Sequence, residues 1–198
     1  MTTDAVFCDD LRVTVPEADW PDTESDLRSV LDTLGAQTEF KAHDRSGWRL
    51  EDGTARSQKC GRVWSFSSSG KLLAGLRAAN LFGQFLGALA GRPHRVTGIH
   101  CTMDRKEPTP PVISRLLDVA DSEAGLRVSR KAVSAAAIQR YISRNAQGVD
   151  TGSMYIGRKN AEVRAVIYDK RQEIIDRGGA DLGHDLTRYE LRLRSQVG

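Results

Sequence analysis

The runs GSMYIGRKNAEVRAVIYDKRQEI, from Gly152 to Ile174, and TRYELRLR, from Thr187 to Arg194, decide the fold. Both alternate apolar and polar residues, which is typical of strands with two distinct faces. One face of the first run carries Arg164, Val166, Tyr168 and Lys170, and one face of the second carries Arg188, Glu190, Arg192 and Arg194. A tyrosine beside basic residues, with a carboxylate among arginines on a partner strand, suits phosphate chemistry.

Three short motifs follow one another in this region. They are Tyr155-Ile156-Gly157-Arg158, Val166-Ile167-Tyr168-Asp169-Lys170 and Arg188-Tyr189-Glu190-Leu191-Arg192. On these motifs the chain resembles the replication initiation factor family, which comprises rolling-circle initiators of small plasmids and filamentous phages and related relaxases of conjugative elements. The family's usual serine after Gly157 is replaced here by Arg158. The resemblance covers most of the chain and is strongest from about Ala136 onward.

The resemblance implies an endonuclease and strand transferase that nicks and rejoins one DNA strand at a replication or transfer origin. It assigns the nucleophile to Tyr168, which would form a covalent 5′-phosphotyrosine and free a 3′ hydroxyl. A tyrosine with a pKa near ~10 needs help to lose its proton. Lys170, predicted on the same strand face, would stabilise the phenolate or the phosphate. On the alternation alone, a strand tyrosine that packs its ring is the favoured interpretation of Tyr168, and the resemblance reverses that preference. Tyr155 is the second candidate nucleophile.

A divalent metal, Mg²⁺ or Mn²⁺, is the expected cofactor, because it would stabilise the charge that develops on the scissile phosphate. Glu190 is the first predicted ligand, and a salt-bridged structural glutamate is the alternative. The family's Arg-x-Asp-x-x-x-Asp pattern falls on Gly98, His100 and Asp104, so the arginine is absent and a histidine replaces the first aspartate. The resemblance thus implies His100 and Asp104 as further ligands, on one strand face with Thr102.

Basic residues around the two strands predict contacts with DNA. The expected DNA-binding residues are Arg158, Lys159, Arg164, Arg188 and Arg192. Contacts to phosphates position DNA without reading its sequence, and they make affinity fall with salt. Trp48 and Trp64 offer rings that could stack on unpaired bases, with packing in the core as the alternative. The expected partners are single-stranded or hairpin origin DNA, a replicative helicase and, in a homodimer, a second copy of the chain.

Composition is that of a soluble protein without a membrane segment. The 198 residues are 39% hydrophobic and 28% charged, with a net charge of +3, and they suffice for one domain with its own core. No apolar run reaches the roughly 18 residues of a membrane span, and the N-terminus lacks a signal-peptide pattern. Three scattered cysteines favour a reducing compartment without a zinc motif, so we expect a cytoplasmic protein. No phosphate-binding G-x-x-x-x-G-K-[ST] loop indicates ATP use.

The rest of the chain predicts alternating strands and helices. Predicted strands cover 7–16, 62–67 and 95–104, predicted helices cover 23–34, the segment around 82–89 and the segment around 113–120, and 147–152 forms a turn. The segment 72–76 fits either a strand or the first turns of the following helix, and the family resemblance favours the strand. The segment 135–145 fits a helix by its alanines or a strand by Ile138, Arg140 and Ile142, and we predict the strand. The segment 40–59 is polar and has no clear periodicity. On the strand 95–104, the face with Ile99, Cys101 and Met103 is expected to point to the core.

These elements predict an α+β fold with a central antiparallel sheet and helices packed on one face, like that of rolling-circle nucleases. One domain is expected over residues 1–198, with a weak internal duplication of halves at about 5–104 and 110–194. Because the chain ends directly after the Glu190 strand, we expect either an excised nuclease domain or a short family member.

Two other functions remain open on the sequence. The first is a DNA-binding module of the same fold that binds or regulates an origin without cutting, which the replacement at His100 and the missing serine after Gly157 favour. The second is a structural interaction protein, whose partner binding would not depend on salt.

Overall fold

The computed structural model describes residues 5–51, 53–122, 125–128, 131–132, 137–144 and 150–195. Its strands are β1 Phe7–Pro16, β2 Gln37–Ala42, β3 Arg45–Leu50, β4 Gly53–Cys60, β5 Val63–Ser69, β6 Arg95–Arg105, β7 Arg127–Val128, β8 Lys131–Ala132, β9 Ile138–Arg144, β10 Asp150–Ile156, β11 Val163–Asp169 and β12 Thr187–Arg194. Its α-helices are α1 Trp20–Leu34, α2 Gly70–Ala78, α3 Phe82–Ala90, α4 Thr109–Asp121 and α5 Lys170–Asp176. The predicted α+β class is confirmed.

The chain divides into two compact units within β6. The N-terminal unit comprises Cys8–His100 with Ser195, and the C-terminal unit comprises Cys101–Arg194 with the described residues up to Phe7. The single domain predicted over residues 1–198 stays a prediction.

The N-terminal unit is a meander of antiparallel strands with a large apolar core. Its strand order is β2-β3-β4-β5-β1, followed by the first half of β6. The core residues of β1 and β5, such as Val13, Val15 and Phe66, alternate with polar neighbours as half-buried strands require. Helices α1, α2 and α3 add apolar residues at helical spacing, among them Leu27 and Leu31 of α1. Gly35 ends α1 in the left-handed conformation that favours glycine.

Two expectations for this unit need correction. The strand predicted over 72–76 is wrong, because α2 occupies it and buries Leu72, Leu73 and Leu76 on one side. Ser69 begins that helix by accepting a hydrogen bond from the amide of Leu72. The polar segment 40–59 contains three strands, since the hydrogen bonds of antiparallel pairing do not require an apolar pattern.

The C-terminal unit forms an antiparallel sheet in the order β12-β11-β10-β9, with the second half of β6 beside β12. Helix α4 has Pro110 and Pro111 in its first turn and packs on the apolar face, where Ile113 joins Met154 and Ile167. Helix α5 instead lines a cavity over the other face. Within this unit the prediction that helices pack on one face therefore does not hold.

Strand β6 also differs from expectation. Its buried residues are Gly98 and Thr102, on the face predicted to be polar, whereas Ile99, Cys101 and Met103 are half-buried and belong to neither core. The strand predicted at 135–145 is confirmed over Ile138–Arg144, which form β9, and residues 135–136 and 145 lie outside the described part of the chain. Of the turn predicted at 147–152, residues 147–149 also lie outside it, and the remaining residues belong to β10.

Each unit runs through strand, helix, hairpin strands, helix and strand, but the pairing differs. In the N-terminal unit the meander joins β1, the strand before its first helix. In the C-terminal unit it joins β12, the strand after its last helix. The predicted duplication of halves at 5–104 and 110–194 stays a prediction.

In the described part of the chain, no helix is by itself long and apolar enough to cross a membrane. Only α2 and α3 together reach that length and composition, across a bend of 118°. None of Cys8, Cys60 and Cys101 forms a disulfide.

Candidate active site and nucleic-acid interface

The polar face of the C-terminal sheet collects most of the predicted site residues. Tyr168 on β11 lies directly opposite Arg188 on β12, and Val166 lies opposite Glu190. Directly opposed residues share a face, and diagonal neighbours such as Tyr168 and Glu190 are about 7–8 Å apart. The two strands therefore bring the predicted nucleophile and the predicted carboxylate onto one surface, as their alternation indicated.

Tyr168 is half-buried at the edge of an open cavity of about 380 Å³. The cavity is lined by Gly152, Ser153, Tyr155, Val166, Tyr168, Asp169, Gln172, Glu173, Asp176, Arg177 and Arg192. The phenol thus borders accessible space instead of being enclosed in the apolar core.

Arg188 is the cation beside the phenol. It lies directly opposite Tyr168 across β11 and β12, and its guanidinium donates through Nε and Nη2 to both carboxylate oxygens of Asp104, at 2.6 and 2.7 Å. It also lies 5.4 Å from the centre of the Phe7 ring. A two-point hydrogen bond fixes a guanidinium plane, so Asp104 and Phe7 hold Arg188 against Tyr168.

Burial raises the pKa of the Tyr168 phenol well above its usual value of 10. The charge of Arg188 opposes this rise, and the charges of Glu173 and Glu190 add to it. Tyr168 is therefore a neutral phenol near pH 7, and it can act as a nucleophile only when a cation or a proton acceptor stabilises the loss of its proton.

Glu190 and Arg192 form a second charged pair on the same face. The Glu190 side chain is 4% exposed, and Arg192 Nε donates to its Oε1 at 2.5 Å. Arg164, opposite Arg192 on β11, lies 4.3 Å above the ring of Tyr155. Among the described residues, the buried Nε of Arg164 has no hydrogen-bond partner.

The predicted ligands do not form a metal centre as they stand. Asp104 is engaged by Arg188 through both oxygens, and Glu190 is engaged by Arg192. His100 belongs to the N-terminal unit. Over the described ranges of the chain, no three His, Cys, Asp or Glu side chains group as a metal ion requires, so these residues do not fit a divalent metal in this arrangement and the metal stays a prediction.

Lys170 lies in helix α5 and not on the strand that the alternation had indicated. Strand β11 ends at Asp169, whose side chain accepts a hydrogen bond from the amide of Gln172 and so begins α5. Lys170 is the first residue of that helix, and its Nζ is 2.5 Å from Glu173 Oε2. The expectation that it continues the strand face of Tyr168 is therefore wrong, because the chain changes direction at the cap.

Arg158 and Lys159 are exposed in the turn between β10 and β11. The turn depends on Gly157, which has a φ of +106° and whose added Cβ would lie 3.0 Å from the carbonyl oxygen of Val163. The two cations are thus presented beside the strand of Tyr168, where the sequence predicted backbone contacts with DNA.

Sequence reasoning missed the partners of Arg188 and Tyr189. Asp104 is 84 residues from Arg188, and Glu107, which accepts a hydrogen bond from the Tyr189 hydroxyl at 2.6 Å, is 82 residues away. No local pattern links such residues. The structure also places Trp48 and Trp64 in the N-terminal core, with 0% and 7% exposure, which is the packing alternative.

Comparison with known proteins finds a similarity of fold to a solved structure. No family model and no curated protein matches the sequence. The fold is similar to that of a solved rolling circle replication initiator protein from Geobacillus stearothermophilus, with a TM-score of 0.60 and 13% identity over 98% of this chain and 76% of that chain. The predicted likeness to the fold of rolling-circle proteins is confirmed, and at this identity the comparison shows the fold alone.

Proposed function

We propose that the protein initiates rolling-circle replication or transfer by binding origin DNA and nicking one strand through Tyr168. The observation that carries the proposal is the half-buried Tyr168 phenol, which borders an open cavity and lies opposite Arg188, a cation that Asp104 holds in place. The shared fold with a rolling circle replication initiator supports it.

The reaction is a transfer of the phosphoryl group between two oxygens. Tyr168 Oη loses its proton and attacks the scissile phosphorus, so that a P–Oη bond forms and the bond from phosphorus to the 3′ oxygen breaks. The leaving oxygen takes up a proton and becomes the free 3′ hydroxyl, while the 5′ end stays joined to Tyr168. In the reverse step a 3′ hydroxyl attacks the phosphotyrosine and restores the phenol, so no external energy source is needed.

Arg188 supplies the positive charge for both steps. Its guanidinium stabilises the phenolate and can donate to the oxygens of the attacked phosphate, since charge-assisted hydrogen bonds of this kind are strong. Asp104 orients it through two hydrogen bonds. Lys170 forms an ion pair with Glu173. It acts on Tyr168 indirectly, because it offsets the negative charge by which Glu173 raises the pKa of the phenol.

The proposal also covers the residues that contact DNA, the partners, the compartment and the metal. Arg158, Lys159, Arg164 and Arg192 position the DNA backbone, and the expected partners are an origin strand or hairpin, a replicative helicase and a second copy of the chain. The protein acts in the cytoplasm. A requirement for Mg²⁺ or Mn²⁺ is retained as a prediction, with no step derived through the ion.

The substitution Tyr168→Phe tests the mechanism. We expect it to abolish covalent protein–DNA adducts with a labelled single-stranded origin oligonucleotide, because the phenyl ring has no oxygen to attack, while binding measured by gel shift is unchanged. Tyr155→Phe is the matched control and should keep the adduct. Adducts that persist in Tyr168→Phe, or that vanish in Tyr155→Phe alone, would refute the assignment.

A DNA-binding module without cleavage is the second candidate. It is favoured by the raised pKa of Tyr168 and by the arginine partners of Asp104 and Glu190. An oligonucleotide cleavage assay with Mg²⁺, with Mn²⁺ and with a chelator separates the two functions. Binding without cleavage in all three conditions would support the module.

A further inference from the structure

An aromatic pair lies on the polar face of the C-terminal sheet, away from both cores. Tyr141 on β9 is 56% exposed, whereas the other aromatic side chains among the described residues are buried or half-buried. Its ring centre is 5.3 Å from that of Tyr155 on β10, with the planes at 84°. An exposed tyrosine held edge to face by a second one keeps its orientation without being covered.

The pair lies in register with the proposed nucleophile. Ser153 on β10 is directly opposite both Tyr141 on β9 and Tyr168 on β11. Opposed residues share a face, and adjacent strands are about 4.8 Å apart. The backbones at Tyr141 and Tyr168 are therefore about 10 Å apart in one row, so neighbouring nucleotides of a strand attacked at Tyr168 can reach Tyr141.

The charges beside this row favour one path for the DNA backbone. On one side, Arg164 lies over the ring of Tyr155, and its buried Nε has no hydrogen-bond partner in the described residues. On the other side, the cavity is bordered by Asp169, Glu173 and Asp176 together with Arg177, and Glu173 is paired with Lys170 and Arg177. Because these charges largely balance one another, the attraction of phosphates to Arg164 sets the path of the backbone, which leaves the exposed ring of Tyr141 to the bases.

We propose that Tyr141, held in place by Tyr155, forms a stacking platform for unpaired bases of the DNA strand that Tyr168 attacks. The ligand class is single-stranded DNA with little base preference, because every base presents a π-face. Bases within a duplex are already stacked on each other and gain nothing from the platform. This inference rests on the proposed function for its choice of DNA strand, although the binding itself requires no cleavage.

The test uses the full chain, a fluorescent single-stranded oligonucleotide of mixed sequence, and a chelator that prevents cleavage. We expect Tyr141→Ala to weaken binding about 5- to 150-fold, the effect of losing one stacked base, whereas Tyr141→Phe binds like the original protein. Val119→Ala is the matched control, because Val119 is 43% exposed on α4, and it should bind normally. Equal affinity for Tyr141→Ala and the original protein would overturn the proposal.

A second measurement separates stacking from indirect effects. Oligonucleotides with one abasic nucleotide at successive positions should contain one position at which the original protein binds more weakly and Tyr141→Ala shows no further loss. A uniform loss at every position would contradict a platform. If the platform is found but no adduct forms at Tyr168, only the nicking function fails. If adducts form normally while Tyr141→Ala binds normally, only the platform fails.

Discussion

The two units place different chemistry on equivalent polar faces. On the N-terminal face, half-buried Ser65 and Ser67 of β5 surround exposed Arg12 and Arg56. On the C-terminal face, Arg188 and Glu190 are 8% and 5% exposed and lie among tyrosines. Burying charged pairs can cost more desolvation than it returns in stability, so stability alone does not account for the C-terminal arrangement, whereas the proposed site at Tyr168 does. We refer to the N-terminal polar face as the supporting face.

The aromatic residues divide in the same way. Trp20, Trp48 and Trp64 are in the N-terminal unit, and the four tyrosines are in the C-terminal unit. The tryptophans are buried in the core, and Trp20 stacks on Trp64 at 4.9 Å. Tryptophan fluorescence thus reports the N-terminal unit and tyrosine absorbance the C-terminal unit, so each can be followed separately.

The largest expected effect is on the N-terminal core. Phe66 is fully buried and its ring packs against Trp48 and Phe85. Phe66→Ala should lower the free energy of unfolding by about 3–5 kcal/mol through lost burial and the cavity left behind, measured by urea unfolding with tryptophan fluorescence. Ser67→Ala, on the polar face, should change it by less than about 0.5 kcal/mol. If both variants lost similar amounts of unfolding free energy, the assignment of Phe66 to the core and Ser67 to the supporting face would be contradicted.

The next effect compares one arginine–aspartate pair in each unit. Arg188 and Asp104 are 9% and 25% exposed in their side chains, whereas Arg12 and Asp10 are 45% and 22% exposed. Asp104→Asn should cost about 1–3 kcal/mol, because it leaves a buried guanidinium poorly paired. Asp10→Asn should cost about 0–1 kcal/mol, as is usual for exposed pairs.

A double variant strengthens this comparison. If the cost of Asp104→Asn comes from the unpaired guanidinium, Arg188→Met combined with Asp104→Asn should be more stable than the sum of the two single losses predicts. Thermal unfolding monitored by tyrosine absorbance measures the coupling. Additive losses would mean that the pair is not energetically linked.

The sequence predicted what depends on local pattern. Alternation placed Tyr168, Arg188 and Glu190 on one face, and β11 and β12 confirm it. The same signal failed at Lys170, where the cap at Asp169 turns the chain. At Leu72–Leu76 a short apolar run fits helix and strand alike, and the family resemblance favoured the strand, which is wrong. The partners of Arg188 were beyond reach, because strand order across 84 residues decides that Asp104 meets it.

A smaller effect concerns nonspecific attraction to DNA. Arg158 is exposed beside the Tyr168 strand, and Arg56 is exposed on the N-terminal polar face. If only the C-terminal face contacts DNA, Arg158→Gln should reduce the slope of log affinity against log salt by about 1, the effect of one lost phosphate contact. Arg56→Gln should leave the slope unchanged. Gel shifts or anisotropy over a salt series measure both, and an equal change in the two variants would extend the DNA surface to the N-terminal unit.

The smallest effect is a loss of folding stability at alkaline pH. It arises in the C-terminal unit, which contains the four tyrosines. Burial and the hydrogen bond to Glu107 raise the pKa of Tyr189 from 10 to about 12. A pKa that is higher in the folded state stabilises the protein below the unfolded value and loses that contribution as pH rises from 10 towards 12. Stability measured by urea unfolding should therefore fall over this interval in the original protein.

Tyr189→Phe should be less stable at pH 8, because Glu107 loses its donor, and should lose less on going to pH 11, because no phenol at this position ionises. The difference between the two proteins should shrink as pH rises, by no more than about 1 kcal/mol, since the hydroxyl is partly exposed and solvent screens its interaction. Tryptophan fluorescence provides the internal control. A pH-dependent difference that is already present below pH 9 would exclude Tyr189 as its source.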